Sequence, residues 1–281
     1  MHFRQYLVII AFSVLVIAGC SRKRDTGGPP DAWKSPYVEP RDVAAAAAPP
    51  EAVAPEPPKP RVHPASLERP YKMYSVEELG TSDGAKALLA LLADPKQGAA
   101  ALEEVKKGGP AMRELVRKAL ACSRREIRIQ AALVLGSLKD TGKETVAALC
   151  DAVLLDPDPD VRAMAAKAFV SIKASGAVSA LIRSLKEDPF EEARANAAWA
   201  LGNIGSPGAI EPLRAALQDE DTWVRLRATS ALKKMKAKAA VPDLIERLGD
   251  KSPMVRERAR EALKDITGKD LGPDPDAWRR R

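Results

Sequence analysis

The sequence has 281 residues, room for one or two ordinary domains, and 46% of them are hydrophobic, enough to bury a core. Aromatics are only 4%, while Ala and Leu dominate and β-branched residues are sparse, which favours close-packed helices over sheets. The net charge of +7 arises from 45 basic against 38 acidic residues with interspersed signs; no basic run carries interleaved aromatics, so nucleic acid is not an expected partner.

Near the N-terminus, Arg4 precedes an apolar run from Tyr6 to Ala18 that only Ser13 interrupts. Such a run is too short for a bilayer span, which needs roughly 20 residues, but suits a signal-peptide core. It ends in Ile17-Ala18-Gly19-Cys20, a string that resembles a bacterial lipobox. The resemblance implies that residues 1–19 are a signal peptide, that diacylglycerol is transferred to the Cys20 sulfur, and that cleavage and acylation follow at Cys20. Several acyl chains give stable anchoring where one gives only marginal anchoring. Ser21 stands where an inner-membrane retention signal usually places Asp, which points to the outer membrane, facing the periplasm. The alternative is an uncleaved anchor with an incidental cysteine. Either way the expected site is the cell envelope.

From Cys20 to about residue 80 the composition changes. Twelve of the 23 prolines lie between 21 and 80, with an alanine run at Ala44–Ala48. Proline removes backbone donors, and too little apolar surface is present to offset ordering entropy, so the segment reads as a disordered linker with polyproline II character. At ~3.1 Å per residue, ~60 residues could reach on the order of 100 Å, which would hold a folded domain away from the membrane. His63 is the only histidine after Cys20, and Cys122 and Cys150 are the only further thiols. No cysteine pair has C-x-x-C spacing, so neither a zinc site nor a dithiol redox site is expected; both thiols are expected free.

From about residue 81 the chain repeats. Hydrophobic-Arg pairs occur at Ile127-Arg128, Val161-Arg162, Ala193-Arg194, Val224-Arg225 and Val255-Arg256, spaced 34, 32, 31 and 31 apart. Five residues before each pair stand Cys122, Asp156, Asp188, Asp219 and Asp250; eight after come Leu135, Phe169, Leu201, Leu232 and Leu263. Leu120, Leu154, Leu185, Leu217 and Leu248 share the period, as do Val116, Cys150, Leu181, Leu213 and Leu244 four residues earlier. Periods of this size signal stacked helical pairs. Each unit reads as two amphipathic helices, the second carrying Ala at close-packing positions such as Ala165-Ala166 and Ala197-Ala198. Asp158-Pro159, Asp188-Pro189 and Ser252-Pro253 read as caps for the second helices. An earlier, weaker pair spans Lys86–Ala93 and Ala99–Lys107.

The pattern D-x-x-x-x-V-R-x-x-A-A-x-A-L is similar to HEAT repeats of the kind found in phycobilisome-lyase-like and armadillo-type proteins. The resemblance implies an all-α, right-handed solenoid of about six helical hairpins over 81–268. It also implies a structural ladder in which Asp156, Asp188, Asp219 and Asp250 bond with Arg128, Arg162, Arg194, Arg225 and Arg256 across neighbouring repeats. Cys122 breaks the Asp series. The tail from Thr267 to Trp278 resembles the TGxDFGxDPxxW ending seen after bacterial HEAT arrays, with Leu271 in the Phe place. It implies that 269–281 is a cap over the open apolar end of the stack.

Chemistry is sparse. HEAT-type hydroxylases hold two irons with His-Glu pairs, and these repeats contain no histidine, which excludes that activity on ligand count. Bilin lyases work in a compartment an exported lipoprotein does not share. No phosphate loop, nucleophile elbow or Ser/His/Asp set is present, so no catalytic residue, cofactor or metal is expected. Asp156, Asp158 and Asp160 read as helix N-terminal charges rather than cation ligands.

One constellation suggests recognition. Trp199 and Asn203, four apart on one helix face, resemble the Trp/Asn arrays of armadillo proteins that clamp extended peptides. The neighbouring units carry Lys167 and Ser171 before them, and Ser230 and Lys234 after, in the same register. Trp223 is a second large aromatic at a mostly polar register, and such residues are enriched in binding hot spots. The expected function is that of a monomeric, membrane-tethered adaptor gripping a protein or peptide. A structural lipoprotein that binds cell-wall polymer is the alternative, and an unrecognised lyase- or hydroxylase-type enzyme a more distant one.

Overall fold

The computed structural model describes residues 73–280. The chain divides between Pro57 and Pro58, and the fold below belongs to the second unit. The signal peptide, Cys20, His63 and most of the proline-rich segment lie outside the described residues.

Thirteen α-helices occur among the described residues: α1 Val76–Leu79, α2 Asp83–Ala93, α3 Gly98–Ala119, α4 Arg125–Leu138, α5 Lys143–Leu155, α6 Pro159–Ile172, α7 Val178–Glu187, α8 Glu191–Ile204, α9 Ile210–Ala216, α10 Thr222–Lys234, α11 Val241–Glu246, α12 Pro253–Thr267 and α13 Pro275–Arg279. Helix α3 is two segments joined at a kink. Gly109 has φ 61° and ψ −142°, a conformation that favours glycine, and Pro110 lacks the N–H that would continue the helix. The first segment closes the hairpin begun by α2, and the second opens the hairpin with α4. With α5/α6, α7/α8, α9/α10 and α11/α12 this makes six hairpins, an all-α solenoid.

The second helices, α4, α6, α8, α10 and α12, stack closely along the array, while the first helices touch one another far less. Small residues permit the close approach. A Cβ on Gly136 would lie 3.0 Å from Ala168 Cα, and one on Gly202 2.5 Å from Ala231 Cβ. Ala165, Ala166, Ala197 and Ala198 are all fully buried at these seams. Tighter stacking on one side makes the second-helix side the inner face of the array.

Three expectations need correction. The folded region begins before residue 81: Tyr74 pairs with the strand-like backbone at Cys122 through N–H and C=O bonds of 2.7 and 2.8 Å, and Ser75 and Glu78 form a capping box on α1. The S-x-x-E signal lay inside the proline-rich composition and was masked by it. Second, the core face of α5 is Leu149 and Val153, with Cys150 and Leu154 only half-buried. Helices α5 and α7 stay helical to the residue before their Asp, whereas α9 and α11 leave through a tighter turn that places one residue fewer between the last core leucine and the Asp. That turn shifts the apolar register by one. Third, of the expected caps only Asp158 acts through its side chain, accepting from the Asp160 and Val161 N–H groups. Phe190 occupies the cap position of α8, and Ser252 caps α12 without a side-chain bond.

Cys122 is buried, Cys150 is half-buried, and both are free thiols. Burial, reinforced by Asp151, pushes the Cys150 thiol up to about 11. At the C-terminal end, Trp278 of α13 is 6% exposed and packs into the core, its Nε1–H donating to the Gly272 carbonyl at 2.9 Å. Leu271 packs beside it.

Candidate interaction site on the second-helix face

Helices α4, α6, α8 and α10 begin with the same buried connection. Arg128 Nε and Nη2 donate to both carboxylate oxygens of Asp156, at 2.8 and 3.0 Å. Arg162 does the same to Asp188, Arg194 to Asp219 and Arg225 to Asp250. The remaining nitrogen, Nη1, donates to the carbonyls six and five residues upstream, as Arg162 does to Asp156 and Pro157. Each Asp also accepts the N–H two residues on, as Asp188 does from Phe190. Every rung therefore joins an Arg to the next repeat and satisfies nearly every donor it buries. Cys122 does not interrupt this, because Arg128 uses its carbonyl rather than its side chain. Arg256 is exposed and keeps only the carbonyl half, with no following Asp in the stack.

The rungs are not electrostatically alike. Burial raises the Asp156 carboxyl above its ordinary range even though Arg128 opposes it. Burial also pushes the Asp250 carboxyl upward, but hydrogen bonds from Arg225 and Ser252, together with the nearby Arg247, lower it on balance. One guanidinium faces Asp156; two face Asp250.

Beyond the rungs, positions i, i+4, i+7 and i+11 of each second helix share one stripe. In α8 these are Glu192, Asn196, Trp199 and Asn203; in α10, Trp223, Arg227, Ser230 and Lys234. The Trp199 ring is half-buried because the Arg227 guanidinium lies over it, 4.1 Å from the ring centroid. Asn203 donates to the Trp199 carbonyl at 2.8 Å and accepts from Lys234 Nζ at 2.6 Å. Its amide is thus engaged within the chain, unlike the free amide a peptide clamp would present. Ser230 Oγ donates to the Leu226 carbonyl of its own helix. Lys167 is half-buried and Ser171 exposed on α6, apart from these contacts. Asn196, deeper in the stripe, donates to the Ala163 carbonyl of α6. Trp223 is 42% exposed.

The structure thus joins Trp199, Asn203 and Lys234 and adds Arg227, which sequence reasoning passed over. Its register reads Gln130, Met164, Asn196, Arg227 and Arg258, turning cationic in the last two repeats. That turn was the available signal. Desolvation, and secondarily repulsion from Arg258, lowers the pKa of Arg227. No group of three or more His, Cys, Asp or Glu side chains suited to a metal occurs among the described residues. No described helix is long and apolar enough to cross a membrane.

The family of HEAT repeats matches residues 112–191 and 178–264, more than half of the chain. The chain belongs to the HEAT-repeat family. Among solved structures, this HEAT array is similar to the complex of CpcE and CpcF of phycocyanin lyase from Nostoc sp. PCC7120, with 23% identity over 56% of this chain and a TM-score of 0.51. The match spans 65% of that lyase chain, just under two thirds of its length. An engineered protein is also similar, with 22% identity over 69% of this chain and 98% of its own and a TM-score of 0.50. These likenesses extend to the fold. No curated protein matches the chain.

Proposed function

We propose that the HEAT array is a non-catalytic adaptor that docks a protein or peptide partner on its second-helix face, and that Cys20 tethers it to the outer membrane, facing the periplasm. The observation that carries the docking reading is Trp223, 42% exposed and four residues from the Arg227 that stacks on Trp199. A large apolar side chain left in water, beside a preordered cation, is the composition of a binding hot spot. Successive second helices repeat the same stripe, so an extended ligand could cross several repeats at once. The tether rests on Ile17-Ala18-Gly19-Cys20 and on the proline-rich stretch between that motif and the array.

Site-specific photo-cross-linking in intact cells tests the docking face. Probes at Ser171 and Ser230 on the second helices are compared with probes at Ala215 and Glu211 on α9. A discrete adduct formed from the second-helix positions alone supports the reading; adducts from α9 alone, or from neither face, overturn it. For the tether, Cys20→Ser is expected to leave an unacylated precursor that no longer partitions with membranes. A variant anchored like the parent ends the lipoprotein reading.

A further inference from the structure

The last two full repeats carry a cation that the fold does not use. Arg227 has five N–H donors, yet it makes no hydrogen bond or ion pair with a described residue, and its guanidinium lies over the face of Trp199. Elsewhere on the second helices the buried guanidiniums of Arg128, Arg162, Arg194 and Arg225 are held by bidentate carboxylates. The N–H groups of Arg227 are not sealed off either, since the buried unpaired side-chain atoms among the described residues are Ser184 Oγ and Arg247 Nε. A planar guanidinium held over an aromatic ring, with N–H groups still open to solvent, is preordered for a carboxylate. Arg258, one repeat on in the same register, adds positive potential, and its own partner is only Glu261 at 3.2 Å.

We propose that Arg227, backed by Trp199 and flanked by Arg258, binds a carboxylate of an extended acidic peptide whose neighbouring apolar side chain rests on Trp223. The inference rests on the second-helix face being the docking surface and names what that surface recognises. Two features favour a peptide over a continuous polyanion. Trp223 offers apolar area that a phosphate chain would not use. Toward the helix N-termini the same stripe carries Asp160 and Glu192, which would repel a second anionic group. An isolated carboxylate beside an apolar residue fits both.

The test uses the full chain in detergent with three fluorescently labelled short peptides, identical except for Glu, Gln or Lys beside a Leu. The Glu peptide is expected to bind about tenfold or more tightly than the Gln peptide, the margin of one charge-assisted pair, with the Lys peptide weakest. Arg227→Gln should abolish the Glu-over-Gln margin. Arg227→Lys, which keeps the charge but not the fork, should retain part of it. Trp223→Ala should weaken the Glu and Gln peptides alike. Thermal melts ensure that every variant is compared while folded. Equal binding of the Glu and Gln peptides to the parent overturns the proposal, as does a margin that survives Arg227→Gln. Polyphosphate binding more tightly than the Glu peptide overturns it in favour of a polyanion. Loss of the margin's dependence on Arg227, with cross-links at Ser171 and Ser230 intact, removes this site but leaves the docking face standing.

Discussion

At the scale of single residues the fold turns on charges that would be costly anywhere else. Arg194 is 1% exposed, and its stability depends on Asp219 and two carbonyls accepting its protons. Removing one partner of such a rung leaves an uncompensated buried charge, whereas replacing both by apolar groups removes the problem with the attraction. Asp188→Leu is therefore expected to cost ~3–5 kcal/mol, measured by denaturant unfolding, and Arg162→Met combined with Asp188→Leu to cost less than that single change. Arg256→Ala, at the exposed end of the series, should cost less than about 1 kcal/mol. The two unlike rungs also predict opposite pH behaviour. The lowered Asp250 carboxyl adds stability above the unfolded value of about 3.9, and that stability is lost as pH falls through its folded value. The raised Asp156 carboxyl binds its proton more readily folded than unfolded, so its contribution declines as pH rises. Asp250→Asn should shrink the stability difference between pH 6 and pH 3, and Asp156→Asn should enlarge it. The ladder residues were legible in the sequence because charged side chains recur at fixed offsets from the apolar period. The stacking of Arg227 on Trp199 was not, because it depends on how far one second helix slides along the next.

At the scale of elements, the second helices were readable and the first helices less so. Alanines and glycines that must face a neighbour at close range keep their register, whereas α5 rotates its core face from Cys150 and Leu154 to Leu149 and Val153. One residue fewer before the Asp in α9 and α11 is enough to offset their register from that of α5, and a single shared period does not show it. Two substitutions test the close-packed seam and the helix ends. Within a helix, Gly→Ala ordinarily gains ~1 kcal/mol of propensity. At Gly202 the new Cβ would meet Ala231 Cα at 2.6 Å, backbone that cannot swing aside, and overpacking costs ~1–3 kcal/mol. Gly202→Ala is thus expected to lower the melting midpoint despite its better propensity. The helix ends reverse the argument. Gly205 closes α8 at φ 74°, but in the same place Lys173 closes α6 at φ 55°, where a Cβ is strained by ~1–2 kcal/mol. Lys173→Gly relieves that strain against a chain-entropy cost of ~0.5–1 kcal/mol, so it should raise stability by a few tenths to ~1 kcal/mol in the same measurement.

At the scale of the whole array, a solenoid has no single centre: each hairpin is stabilised by its neighbours, and the two end hairpins have one neighbour each. The buried rungs stop at Asp250, so the last hairpin, α11/α12, is joined to the one before it by Arg225 but offers nothing equivalent onward. Its outer apolar surface falls to the tail. Trp278 and Leu271 fold back onto it, and an Arg260–Asp270 pair, with bonds of 3.0 and 3.1 Å, holds the start of the tail against α12. At the other end, α1 and the Tyr74–Cys122 bridge close the stack. The tail was legible because Trp278 lies at a fixed distance beyond the last period. The N-terminal closure was hidden because it is short and follows a long proline-rich stretch. If the tail closes the stack, Trp278→Ala removes a buried indole with its hydrogen bond and should cost ~3–5 kcal/mol at that end. In a one-dimensional array such a loss stays local before it spreads. Hydrogen exchange followed by mass spectrometry should then show α11 and α12 losing protection first, with α6 and α8 nearly unchanged. Uniform loss across all helices would mean that the array unfolds as one unit and that the rungs transmit stability over its whole length.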